Sequence, residues 1–310
     1  MRTTRGRTTP SLLLHVTNGD SARLAIERLR LPGRVLVWAD VLHEGPVPAE
    51  LSPAELRRVR ARYIGEQGWA SEDEAARELE RRDVLFSSAD ALVLWFEHDL
   101  YDQLQLLQVL DLLGETAAQA ELVQSDRFLV ELGDEELRAL YERRAAVTTT
   151  QLESARCAWR AFRSPDPSSL NEYARAETPE LPFLASALRR HLEQFPAVGS
   201  GLARTERHAL EAIREGARHP AHVFAAAQSH EEAPFMGDAV FWRYLERLEP
   251  LLVDEAGALR LGEAGEAVLA GRADLVELLG VDRWLGGVHL HGRSPRWRWS
   301  GATGGVVATS

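Results

Sequence analysis

Apolar residues along this chain fall into short unbroken runs separated by helical spacing, the pattern of strands buried on both faces between amphipathic helices. Leu12 to Val16 reads as a first strand, followed by the turn Asn18-Gly19 and a helix carrying Leu24, Ile26 and Leu29. Pro32-Gly33 closes that helix, and Arg34 to Trp38 forms a second strand leading into the polar loop Asp40 to Pro46. A charged helical excursion runs to residue 82. Ala91 to Phe96 is a third strand, and Leu100, Leu104, Leu107 and Leu110 mark one face of the helix after it. Glu121 to Val123 and Phe128 to Leu132 are candidate edge strands.

This alternation predicts an α/β fold with a Rossmann-like, doubly wound parallel sheet over residues 11–133. From Asp134 the spacing turns helical, predicting a bridging segment over 134–198 that is broken at Ser164 to Ser169. Over 199–300, Thr205, Pro220 and Asp238 are expected to open three successive helices. Leu251 to Val253 and Leu259 to Leu261 then flank a turn, and the order predicts a winged-helix-like domain. Val288-His289-Leu290-His291 and Arg296-Trp297-Arg298-Trp299 alternate polar and apolar residues, which predicts a hairpin pairing His291 with Arg296 and His289 with Arg298. Its His/Arg face is a candidate anion surface. Gly301 to Ser310 shows no pattern and is expected to fray.

Composition narrows the function classes. The net charge of -11 argues against broad attraction to DNA or an anionic membrane, and leaves a protein partner or a small ligand. No lysine is present, which excludes a Schiff-base lysine and a Walker-type phosphate loop. The single cysteine, Cys157, excludes an intramolecular disulfide and fits a cytoplasmic protein; its helical surroundings make it a small packing residue. No apolar run is long enough for a membrane span, and Ser11 to Val16 is too short for a secretory signal.

Candidate chemistry gathers at three strand ends, where open parallel sheets bind ligands. The first set is His15 with Asn18, Gly19, Asp20 and Ser21; the second is Asp40 with His43 and Glu44; the third is Glu97, His98 and Asp99 with Tyr101, Asp102 and Gln103. If the sheet order reverses as in flavodoxin, the first and third sets border the switch point and the second flanks the first. Asp20 and Asp99 have a competing role as helix caps. Glu97, His98, His43 and Glu44 lie outside such roles and are the candidate acid–base residues, with structural ion pairs as the competing reading. Carboxylates with His15, His43 and His98 could instead hold a divalent metal, although no spacing matches a specific metal motif.

The segments His15-Val16-Thr17-Asn18-Gly19-Asp20-Ser21, Trp38 to Pro46 and Trp95 to Gln103 together resemble a bacterial family, the domain of unknown function numbered eighteen thirty-five. The resemblance covers roughly the first 130 residues. It implies a domain boundary and a set of residues to examine, and it implies no activity.

The sequence therefore favours a small anionic ligand, a nucleotide or phosphoester, at the sheet edge, with a hydrolytic step as one outcome. The alternatives are a ligand-responsive regulator that contacts a protein or DNA through the winged-helix-like part, and a structural adaptor.

Overall fold

A computed structural model of the chain describes residues 11–114, 116, 118–255 and 257–309. The first strand, β1 (Leu13–Thr17), is followed by α1 (Asp20–Arg28), β2 (Arg34–Val37) and the two-residue β3 (Gly45–Pro46). The charged excursion is a helical pair, α2 (Pro53–Glu66) and α3 (Glu72–Ser87), each opened by a serine cap, Ser52 and Ser71. Next come β4 (Ala91–Phe96), α4 (Leu100–Leu113), β5 (Gln119–Gln124), α5 (Asp134–Glu142) and β6 (Ala145–Ala146). Among the described residues, one sheet has the order β2-β1-β4-β5-β6, parallel except for its last pair. The order reverses between β1 and β4, where Thr17 pairs with Trp95. This is a Rossmann-like α/β arrangement with its switch point where the first and third residue sets were expected to meet.

The pleat sends Leu14, Val16, Leu92, Leu94 and Phe96 into one apolar layer with α4. Val93, Trp95 and Val123 enter the opposite layer, with α1 and α5. In α1 the buried stripe is Ala22, Ala25, Ile26 and Leu29, and Leu24 stands exposed. Two edge features differ from the sequence expectation. Phe128 to Leu132 is not a strand: a 3-10 turn occupies Leu129–Glu131, and the edge position is filled by β6, running antiparallel to β5.

Beyond the sheet lie α6 (Thr149–Arg163), α7 (Ser168–Tyr173), α8 (Leu184–Leu192), α9 (Arg204–Arg214), α10 (Pro220–Gln228) and α11 (Asp238–Leu248). α9 opens through Glu206, which accepts the Ala203 N–H at 2.7 Å, so Thr205 sits inside the first turn rather than capping it. Pro220 opens α10 as expected, and Gly237 rather than Asp238 is the capping position of α11. A two-stranded antiparallel ribbon follows, β7 (Leu252–Glu255) with β8 (Ala258–Leu261). Then come α12 (Glu263–Leu269), α13 (Leu275–Leu279), β9 (Val281–Gly286), β10 (Val288–Gly292), β11 (Trp297–Ser300) and β12 (Gly305–Ala308).

The expected pairing of His289 and His291 with Arg298 and Arg296 does not form. β10 turns back on β9 through Gly286-Gly287, and β11 pairs with β12. The alternation holds in β10, where Val288 and Leu290 are buried and His289 and His291 exposed, but not in β11, where Trp297 and Arg298 are both buried; two other segments compete for the same backbone hydrogen bonds. β12 lies within Gly301 to Ser310, the segment expected to fray, and Asn171 fastens it by accepting the Val306 N–H and donating to its carbonyl. β9 also pairs in parallel with β3, and one continuous apolar core runs from Leu14 to Val306. Among the described residues no helix is long and apolar enough to cross a membrane.

Candidate functional site

The end of β1 and the end of β4 meet through Asn18. Its side-chain amide donates to Glu97 Oε2 at 3.2 Å and to Asp102 Oδ2. Glu97 follows Trp95 on the same sheet face, which brings its Oε1 to the Leu129 N–H at 2.6 Å. Asp99 caps α4 by accepting the Asp102 N–H at 3.0 Å, as its position before the helix predicts. Asp102 accepts the Glu97 N–H at 2.7 Å, and Gln103 donates to the Glu97 carbonyl at 2.7 Å. The strand end and the first helical turn thus hold one another. Oxygens of Glu97, Asp99 and Asp102 lie within 4.8 Å of one another, and all three residues are buried.

The bonds to these carboxylates come from an amide side chain and backbone N–H groups, none of which carries a full positive charge. Burial therefore dominates their ionisation. It pushes Asp99 up to about 7 and Asp102 well above the usual carboxylate range, with the neighbouring acids adding to both shifts; Glu97 is raised by burial. The cluster retains protons at neutral pH. Its donor set is all oxygen, suited to a hard cation, and no histidine joins it.

His98 turns away from the carboxylates to lie against Phe128 and Phe183, with ring centroids 5.2 and 6.1 Å away. Burial lowers its pKa. It lines a cavity of about 330 Å³ at the end of β4, whose other wall carries Ser186, Arg189 and Arg190 of α8. Arg190 forms a two-toothed pair with Glu231, at 2.7 Å on each side, and Arg204 bridges Glu193 and Glu232 at 2.8 and 2.6 Å. Arg189 is different, because it donates to the Ala174 carbonyl at 3.1 Å rather than to a carboxylate. His98 Nδ1 and Arg190 Nη1 are buried and have no hydrogen-bond partner among the described residues.

The second residue set is not part of this cavity. Asp40 forms a buried ion pair with Arg60 at 2.7 Å, and Arg60 also binds the Val41 and Glu44 carbonyls, so Asp40 fixes the loop. His43 is packed edge-on against Phe235 and Tyr101, 5.0 and 5.9 Å away by ring centroid. Neither of its nitrogens has a partner among the described residues, and burial with help from Arg283 and Arg60 takes its pKa down to about 3. A histidine held neutral to that degree cannot shuttle protons near pH 7. Glu44 instead belongs to an interior knot with Arg283, at 2.5 Å, and with the Tyr244 hydroxyl, which is also bonded by Gln194 at 2.7 Å.

Other expected site residues have structural partners. His15 accepts the Trp95 indole N–H on Nδ1 at 3.1 Å, which leaves Nε2 to donate to the Pro32 carbonyl at 2.9 Å. Gly19 is the capping position of α1 without a side-chain bond; Asp20 and Ser21 are exposed, and Asp20 pairs with Arg23 at 2.9 Å rather than capping the helix. Tyr101 faces His43, and burial raises its pKa. Arg298 pairs with Asp274 at 3.0 Å, Arg296 lies over the Trp297 ring at 4.7 Å, and His289 and His291 both face Asp282. The metal set of His15, His43 and His98 with carboxylates is therefore dispersed.

Sequence reading missed Arg189, Arg190, Tyr244 and Arg283. The two arginines sit in the last turn of α8, where basic residues are expected for the helix dipole alone, and Tyr244 reads as one more apolar residue of α11. Asp102 was legible as a member of the third strand-end set, and its complete burial beside Glu97 and Asp99 is what the sequence did not show. No protein-family model matches the chain, and no match is found among curated proteins.

Proposed function

We propose that the protein binds a small ligand bearing an anionic group, of the nucleotide or phosphoester class, in the cavity at the end of β4. The observation that supports this reading is the lining of that cavity, where His98 at the end of β4 stands across from Arg189 and Arg190 of α8. A concave site with a few convergent polar groups suits a small ligand with an anionic group. Arg189 offers the guanidinium not engaged by a carboxylate. In a hydrolytic version, neutral His98 is the base, and the carboxylate cluster next to it in the chain holds the β4–α4 corner rigid.

Calorimetric titration with AMP, ATP and a sugar phosphate tests this. Binding of one of them, weakened about tenfold or more in Arg189→Ala and His98→Ala, is expected. Absence of binding by all three, or binding indifferent to both substitutions, overturns the reading.

A second reading, a ligand-responsive regulator, draws on the order α9, α10, α11 and the β7–β8 ribbon. The Leu259 N–H reaches the Arg218 carbonyl at 2.9 Å, which ties the ribbon to the α9–α10 connection in the manner of a winged helix. The third helix of that unit turns toward the sheet domain: Tyr244 bonds Glu44, and Arg243 donates to the Gln67 carbonyl at 3.1 Å. That placement favours a protein contact over insertion into DNA. Retention of DNA that falls steeply with salt would reverse this preference. For the first 130 residues or so, the three motifs quoted above support membership of the domain-of-unknown-function family.

A further inference from the structure

The pairing of β10 with β9, rather than with β11, creates a juxtaposition that the His/Arg hairpin would have prevented. His289 and His291 alternate on one face of β10, and the register sets His291 directly opposite Asp282 and His289 opposite Trp284. His289 Nε2 lies 2.7 Å from Asp282 Oδ1, and His291 Nδ1 lies 3.7 Å from Asp282 Oδ2. One atom from each of the three residues falls within 4.8 Å of the other two. We propose that Asp282, His289 and His291 form a binding site for a divalent transition metal of the zinc class.

The donor chemistry selects the metal. Two imidazoles and one carboxylate suit zinc and its neighbours, whereas calcium and magnesium take oxygen sets. Zinc holds such ligands at about 2.0–2.2 Å, which places them about 3.4 Å apart in a tetrahedron. The separations of His289 and His291 from Asp282, 2.7 and 3.7 Å, bracket that value. In the metal-free form Asp282 and His289 share a hydrogen bond, and the metal would take the place of that proton. Three protein ligands leave a fourth position for water or a group from another molecule.

The scaffold holds this arrangement in place. Trp284 stacks on the His289 ring with centroids 4.5 Å apart and planes 3° from parallel, which limits rotation of that imidazole. The two strands join through Gly286-Gly287, and the Gly287 N–H bonds the Phe162 carbonyl at 3.0 Å. A side chain at Gly286 would run into that carbonyl, and one at Gly287 into the Arg163 carbonyl, so the turn is seated on the end of α6. Asp282 and His291 each keep 71% of their side-chain surface exposed, so an ion can reach them from solvent. Asp282 and Trp284 also line a cavity of about 390 Å³ beside Tyr63, Trp69 and Arg243, which gives the open coordination position a neighbouring space.

Calorimetric titration of the chelator-stripped full chain with zinc chloride tests the site, with cobalt absorption spectra as a second measurement. One zinc per chain is expected, with affinity reduced about tenfold or more in His291→Ala and in Asp282→Asn. These exposed positions permit folded variants, which circular dichroism checks. His222→Ala is the control, because His219 and His222 form another exposed pair with ring centroids 5.8 Å apart. Absence of zinc binding overturns the proposal. So does binding unchanged by His291→Ala and Asp282→Asn, or lost in His222→Ala instead.

Discussion

Asn18 donates its single amide group to both Glu97 and Asp102, and so joins the end of β1 to the corner between β4 and α4. Replacing it with alanine leaves two buried carboxylates short of a donor. The expected loss is about 1–3 kcal/mol of stability, measured by urea unfolding at pH 7. A loss below a few tenths of a kcal/mol would show that the carboxylates are satisfied without it.

The carboxylate cluster and the buried histidines give opposite pH dependences. Asp99 and Asp102 hold protons more tightly folded than unfolded, so their contribution is present in acid and is lost as pH rises from about 4 through 7 and above. His43 and His191 are the reverse, since both are held down to about 3. Their contribution is complete above about 6.5 and disappears as pH falls toward 3. Each proton taken up or released on unfolding contributes a slope of up to about 1.4 kcal/mol per pH unit. Urea unfolding between pH 4 and 9 should show Asp102→Asn flattening the alkaline limb and His191→Phe flattening the acid limb. Unchanged slopes in both variants would contradict this assignment.

Glu44 and Arg283 form a buried pair that ties the loop after β2 to β9. Arg283→Ala strands a carboxylate in the interior and should cost about 3–5 kcal/mol. The double variant Glu44→Leu with Arg283→Met should be less destabilised than the sum of the single changes. A double-mutant cycle by chemical denaturation reads this coupling, and strict additivity would show that the pair acts as two independent residues.

Gly287→Ala should destabilise the chain by about 1–3 kcal/mol or more, because its new methyl group meets the Arg163 carbonyl. Gly301→Ala, with open space around it, should be close to neutral. Thermal unfolding of the two variants separates the seated turn from an ordinary surface glycine, and equal midpoints would remove the close approach.

The parallel sheet and its helices were determined by local chemistry visible in the chain, whereas the place where the strand order reverses followed only on the condition of a flavodoxin-like order. Runs such as Leu92 to Phe96 must be buried on both faces, and a run that ends in Glu97-His98-Asp99 must stop at the sheet edge. Asp99 could be read as a cap because capping depends on neighbours three residues away. The division of the candidate residues was not legible. His43 and Glu44 share a loop with Asp40, yet their environments are set by Phe235, Tyr244 and Arg283, roughly 190–240 positions later in the chain. Whether a buried histidine titrates, and whether a carboxylate meets an arginine or only an amide, depends on such distant partners. Strand choice at the carboxyl end followed the same rule: alternation placed His289 and His291 on one face, but alternation is equally satisfied by any partner strand. Tertiary packing selected β9 over β11, and with it Asp282 in place of two arginines.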